Sequence, residues 1–193
     1  MAAELGATAI GFIFWPGSPR FLAPDMAREI VDRVRRRFPA LTTVGVFVDE
    51  TADRILECLR LAGLDAAQLH GSESPEYCRQ LLDLGVPQLI KAIGMRGDGT
   101  ADVAAFDPEI VMLLDAHDPE RHGGTGRTVD WDEARRIAAA RPAILSGGLT
   151  AENVRRAVAG VQPYGLDVSS GVESAPGVKD RKRMASFFEA LHD

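Results

Sequence analysis

Two glycine-bearing stretches, SGGL (Ser146–Leu149) and DVSSGVE (Asp167–Glu173), carry the strongest chemical signal in this sequence. Each follows a short apolar run. Glycine lets backbone N–H groups approach an anion closely, and the start of a following helix adds a favourable dipole. The pattern suits a phosphate group, with Gly147, Gly148, Ser170 and Gly171 as the donors. Tight strand-to-helix turns also want glycine whatever they bind. The repetition in two consecutive terminal units is what favours the anion.

Other candidates stand at comparable places. Asp115 closes the apolar run IVMLLD. A carboxyl group at the mouth of a barrel is partly desolvated, which favours its protonated form and suits general acid work. Arg20, in the loop WPGSPRF, has the planar fork that holds a carboxylate through two parallel bonds. Asp167 ends another strand and reads equally as a cap or a ligand contact. His70, in QLHG, reads more readily as a structural histidine than as a base. Lys91 lies inside QLIKAI, and nothing near it singles out Schiff-base chemistry. HGGTG (His122–Gly126) has the glycine content of a lid. His70, His117 and His122 do not make a two-histidine-plus-carboxylate spacing, so no metal site is expected.

These residues need elements that bring them together. Strand candidates are Thr8–Phe14, Thr42–Val48, Ala66–His70, Gln88–Ile93, Ile110–Asp115, Ala143–Ser146 and Tyr164–Val168. Several are apolar on both faces, as buried parallel strands are. Helix signals alternate with them. Pro24-Asp25 opens one that runs to about Arg37, Thr51 caps the next before Gly63, and Ser74-Pro75 opens a third. Trp131–Arg141, Thr150–Gly160 and Asp180–Leu191 read as three more, with a short one at Asp102–Asp107. Polar, glycine-rich loops follow nearly every strand. A doubly wound sheet concentrates its site at one switch point, whereas a barrel assembles its site from all its loops. A barrel is therefore expected, with no linker to divide residues 1–193 into separate domains.

Composition narrows the function class. The 193 residues carry a net charge of −6, with 46% hydrophobic and 26% charged residues. An acidic chain without a basic face is a poor candidate for nucleic acid, and the run Arg33–Arg37 falls at a helix end, where cations suit the dipole. No apolar run is long enough for a bilayer. Two cysteines, Cys58 and Cys78, lie inside helix candidates without metal-ligand spacing, which fits a reducing cytoplasmic setting.

The stretches GFIFWPGSPRFL, VGVFVDE, QLHGSESPEYC, LLDAHDPERHGGTGRTVDW, ILSGGLTAENV and LDVSSGVESAPGVKD, in this order and spacing, resemble the phosphoribosylanthranilate isomerases of tryptophan biosynthesis. The resemblance covers essentially the whole chain. It implies an Amadori rearrangement of N-(5′-phosphoribosyl)anthranilate without metal or organic cofactor. It implies that Asp115 is the general acid, that Arg20 holds the anthranilate carboxylate, and that Gly147, Gly148, Ser170 and Gly171 seat the phosphate. Asp167 falls on a site-lining position. Family members begin with a strand carrying Lys-Ile-Cys-Gly, whose Cys is the general base. This chain begins MAAELGATAIGF, which reads as the end of the first helix.

The expected fold is thus an α/β, TIM (β/α)8-type barrel lacking its first strand, with seven parallel strands. Its two open edges could pair with a second copy in a homo-oligomer. Cys58 and Cys78, in mid-helix, do not replace the base, and its loss is expected to slow proton transfer on the order of 10²- to 10⁴-fold. A phosphosugar-binding module without turnover is the other reading. A sister isomerase of histidine biosynthesis is disfavoured by the single phosphate site and the SPRF loop.

Overall fold

The computed structural model describes residues 1–95, 102–115 and 131–192. Its contacts fall into two compact units, Met1–Lys91 and Ala92–Asp193.

The first unit opens with a 3-10 turn, Ala2–Leu5, closed by Gly6 in the left-handed region. Strand β1 (Ala9–Ile13) leads to helix α1 (Pro24–Arg37), which starts on a proline and ends on three arginines. Strand β2 (Thr42–Phe47) leads to α2 (Ala52–Ala62), where the Thr51 side chain accepts from the Arg54 N–H. Strand β3 (Ala66–Leu69) leads to α3 (Pro75–Asp83), capped by Ser74 accepting from the Tyr77 N–H. Each cap meets one of the orphan donors of a helix start. The apolar stripes face inward, with Ala27 and Val31 of α1, Ile55 and Cys58 of α2, and Cys78 and Leu81 of α3 all buried.

Strand β4 (Leu89–Gly94) carries the chain into the second unit. There β5 (Val111–Asp115), α4 (Trp131–Ala140), β6 (Ala143–Ser146), α5 (Val154–Val161) and β7 (Gly165–Leu166) follow in order. A 3-10 turn, Ser170–Val172, then a two-stranded hairpin of β8 (Glu173–Ala175) and β9 (Val178–Lys179), lead into α6 (Arg181–His192). Met112, Leu113, Leu114 and Leu145 of the strands and Ile137, Val154 and Phe187 of the helices are buried.

The seven parallel strands follow one another in the order β1 to β7. The strands pair in parallel, β1 with β2, β2 with β3 and β3 with β4, and again β5 with β6 and β6 with β7. Consecutive helices pack on each other, α1 on α2 in the first unit, and α4 on α5 and α5 on α6 in the second. A doubly wound sheet would reverse its strand order at a switch point. An order that never reverses is the (β/α)-barrel arrangement, and helices follow most of the strands, with only a short 3-10 turn, Val103–Ala105, described between β4 and β5. The expected strands are all present, with ends shifted by at most two residues. The expected helix from Thr150 starts four residues later, at Val154. Asn153 is the reason. Its side chain accepts from the Thr150 N–H at 2.8 Å and donates to the Gly148 carbonyl at 2.9 Å, giving the backbone a turn in place of a helix. Among the described residues no helix is long and apolar enough to cross a membrane.

Arg141 ties the second unit together at the foot of β6. Its guanidinium donates to the carbonyls of Val103 (2.9 Å), Phe106 (3.2 Å), Asp107 and Ile110 (2.6 Å), the segment that leads into β5. Burial pushes its pKa down from the ordinary value, while the nearby charge of Asp107 pulls it up. Arg141→Ala is expected to cost about 2–3 kcal/mol in urea unfolding, since several carbonyls lose their donor together. Arg141→Lys should recover less than half, because a single ammonium does not reproduce the fork.

Candidate functional site

The second unit holds Asp115, Asp167 and the glycine loops, while Arg20, His70 and Lys91 lie in the first. Asp115 and Ser146 end β5 and β6, and Asp167 directly follows β7. Asp115 is the register partner of Ser146. Asp167 stands one step beyond the Leu145–Leu166 pair, and its N–H donates to the Leu145 carbonyl at 2.9 Å. In-register neighbours on a sheet share a face. The three polar side chains therefore form one row at the C-terminal ends of the strands, where a barrel places its chemistry. With strands about 4.8 Å apart, the two aspartates lie about 10 Å apart at their Cα atoms. Asp115 also accepts, through its carbonyl, from the Met95 N–H at 2.9 Å.

The two glycine loops are built against each other. Gly147 and Gly148 both have positive φ, 87° and 63°, which other residues adopt at a cost. A Cβ at Gly148 would meet no atom within 4 Å, so the backbone there is open to approach. Gly171 has the opposite surroundings. A Cβ on it would overlap the Leu149 carbonyl oxygen. The turn after β7 thus lies directly on the turn after β6, and only a residue without a side chain permits it.

That turn is braced from behind. The Lys179 ammonium donates to the Ser169 carbonyl at 3.0 Å and to Glu173 Oε1 at 2.9 Å. Glu173 is 4% exposed, and its own carbonyl accepts from the Arg183 guanidinium. The Asp180 N–H donates to the Val172 carbonyl at 2.8 Å. The first N–H groups of the 3-10 turn, at Ser170 and Gly171, have no partner within the turn. Gly171→Ala is expected to destabilise the protein by about 1–3 kcal/mol in urea unfolding, because a Cβ there overlaps the Leu149 carbonyl and the two loops must part.

In the first unit, Arg20 lies on a loop tied at both ends. The Ser18 N–H donates to the Trp15 carbonyl (3.0 Å), Phe21 to Ser18 (3.1 Å) and Leu22 to Ile13 (2.9 Å). The Arg20 N–H donates to Ser18 Oγ at 3.1 Å, and the residue is half-buried. His70 is also half-buried, with its Nδ1 at 3.2 Å from Gln68 Nε2. The expected lid, His122–Gly126, and His117 lie outside the described residues.

Lys91 makes contacts that the sequence did not suggest. Its side chain is 5% exposed and pairs at 2.8 Å with Glu73, whose side chain is 3% exposed. It donates also to the Gly71 carbonyl at 2.7 Å. Glu73 accepts in addition from the N–H groups of Asp49 (2.9 Å) and Gly71 (3.0 Å). One buried carboxylate thereby joins the loops after β2 and β3 to strand β4. A lysine so engaged by two acceptors is a structural member of the fold, and nothing around it points to Schiff-base chemistry.

Both thiols are packed away. Cys58 and Cys78 are 1% and 0% exposed. Burial raises the pKa of each thiol, that of Cys78 to about 11, with the Lys91 charge opposing. Neither ionises near neutral pH, so neither is a base. Among the described residues, no group of three or more His, Cys, Asp and Glu could hold a metal ion.

Comparison with known proteins bears on the whole chain. The family model for N-(5′-phosphoribosyl)anthranilate (PRA) isomerase matches residues 1–190. An N-(5′-phosphoribosyl)anthranilate isomerase of Syntrophus aciditrophicus is 44% identical over 193 residues, covering 99% of this chain and 80% of the relative. One from Desulforudis audaxviator is 45% identical over 197 residues, covering 100% and 91%. The crystal structure of the Thermotoga maritima phosphoribosyl anthranilate isomerase superposes with a TM-score of 0.83 at 38% identity, over 98% of this chain and 90% of that one. A phosphoribosyl anthranilate isomerase solved with reduced 1-(o-carboxyphenylamino)-1-deoxyribulose 5-phosphate gives 0.77 at 35% identity, over 98% and 89%. Sequence and fold agree along nearly the full length, and this chain belongs to the N-(5′-phosphoribosyl)anthranilate isomerase family.

Proposed function

We propose that the protein isomerises N-(5′-phosphoribosyl)anthranilate to 1-(2-carboxyphenylamino)-1-deoxyribulose 5-phosphate, a step of tryptophan biosynthesis. The observation that carries this reading is the paired loop, with Gly171 seated on the Leu149 carbonyl beside the row Asp115, Ser146, Asp167. The loops offer backbone donors for the phosphate through Gly147, Gly148, Ser170 and Gly171. The row offers carboxyl groups to the sugar. Arg20 offers its fork to the anthranilate carboxylate.

In this reading Asp115 gives its proton to the furanose ring oxygen. The bond from that oxygen to C1′ breaks, its electron pair stays on the oxygen, and the nitrogen lone pair forms the C1′–N double bond. Transfer of the C2′ proton from this cation to water gives the enolamine, which tautomerises to the ketone. Neither Cys58 nor Cys78 takes that proton, for the reasons of burial and pKa given above.

The test is a direct assay of the 193-residue chain, with substrate formed in place from anthranilate and followed by the loss of anthranilate-type fluorescence, together with titration of the reduced product analogue. Turnover with tight analogue binding is expected. Tight binding with no turnover above the uncatalysed rate would move the assignment to a phosphosugar-binding scaffold, and failure to bind the analogue would remove it.

A further inference from the structure

Ser146 stands between the two aspartates and is committed to one of them. Its Oγ donates to Asp167 Oδ2 at 3.0 Å, and the residue is only 8% exposed. On its other side its register partner is Asp115. A carboxylate has about four acceptor sites. A bond from a buried strand residue fixes its rotation.

We propose that Ser146 is a positioning residue that sets the Asp167 carboxylate to accept hydrogen bonds from the hydroxyl groups of a pentose phosphate. The inference rests on the phosphate seat proposed above. Asp167 lies at the root of the loop whose next residues include Ser170 and Gly171. A phosphate held there, with the reacting end of the sugar directed at Asp115 on β5, draws the intervening carbons across the ends of β6 and β7. Asp167 is the charged side chain at the end of β7, and sugar hydroxyls are the donors that would pass it. A hydrogen bond to a carboxylate is strong only when the acceptor is held in place, and Ser146 does the holding.

The experiment compares three probes by calorimetric titration of the whole chain: inorganic phosphate, ribitol 5-phosphate, and the reduced carboxyphenylamino analogue. Ser146→Ala is expected to weaken ribitol 5-phosphate about tenfold, the loss of one hydrogen bond to a charged group, and to leave inorganic phosphate within about twofold. Ser146→Thr, which keeps the hydroxyl, should restore binding. In an Asp167→Asn background, adding Ser146→Ala should cost nothing further, since the two residues act as one. The proposal is overturned if Ser146→Ala leaves ribitol 5-phosphate affinity unchanged. It is equally overturned if inorganic phosphate weakens in parallel, which marks a role in the fold alone, or if the effect survives in the Asp167→Asn background. If the parent binds the carboxyphenylamino analogue no better than ribitol 5-phosphate, the isomerase reading fails while the Ser146 assignment stands.

Discussion

Replacing Lys91 with Met is expected to destabilise the protein by about 3–5 kcal/mol, the cost of leaving a buried carboxylate without its cation. The size follows from burial. Both side chains of the Lys91–Glu73 pair are nearly inaccessible, at 5% and 3%, so water does not replace the lost partner. The Gly71 carbonyl loses its 2.7 Å donor at the same time. Most of this cost comes from the orphaned charge and not from the worth of the pair. The double variant Lys91→Met with Glu73→Gln should therefore recover much of the loss. Its amide oxygen still accepts from the Asp49 and Gly71 N–H groups, and no net charge stays buried. The exposed pair Arg54–Glu57, with side chains 45% and 48% accessible, gives the contrast. Arg54→Ala is expected to move stability by no more than about 0.5 kcal/mol. Urea midpoints of the four proteins decide the matter. A Lys91→Met protein as stable as the parent would show that the pair contributes register alone and that its charge is not sealed from solvent.

The Lys91 network also marks where sequence reading stops. Strands and caps are local. Apolar β-branched runs such as TTVGVFV become β2, and the pairs Thr51 with Arg54 and Ser74 with Tyr77 are capping bonds within one turn. The glycine loops after β6 and β7 were legible for the same reason, since glycine marks a backbone requirement at its own position. Glu73 and Lys91 are 18 residues apart, and their relation exists only because β3 and β4 are neighbours. From sequence, Glu73 was one residue of a polar loop and Lys91 a lysine in a strand. The contact of Gly171 with Leu149 and the bond from Ser146 to Asp167 were hidden in the same way. In each case one residue suggests a role, and its partner comes from another strand unit. Even the local misreading, a helix begun at Thr150, had a side-chain cause. Asn153 folds back on Thr150 and Gly148 and delays the helix until Val154.

Asp115→Asn is expected to lower kcat by about 10² to 10⁴, the usual worth of a positioned general acid, while the affinity for the reduced product analogue stays within about threefold. The two halves of this expectation have separate causes. Asparagine keeps the size of the side chain at the end of β5, and the backbone bond from Met95 to the Asp115 carbonyl at 2.9 Å does not involve the side chain. The row with Ser146 and Asp167 should therefore persist, and the glycine loops with it. What asparagine lacks is a proton acidic enough to reach the ring oxygen as its bond to C1′ breaks. Loss confined to kcat is the sign of an interaction made only in the transition state. On the proposed role of Arg20 as anchor of the anthranilate carboxylate, Arg20→Ala should behave in the opposite sense, raising KM and weakening the carboxyphenylamino analogue more than ribitol 5-phosphate. Steady-state kinetics of the two variants thus separate acid from anchor. If Asp115→Asn instead raised KM with kcat unchanged, Asp115 would be a ligand contact. The acid would then have to be sought elsewhere along the strand ends, with Asp167 next in the row.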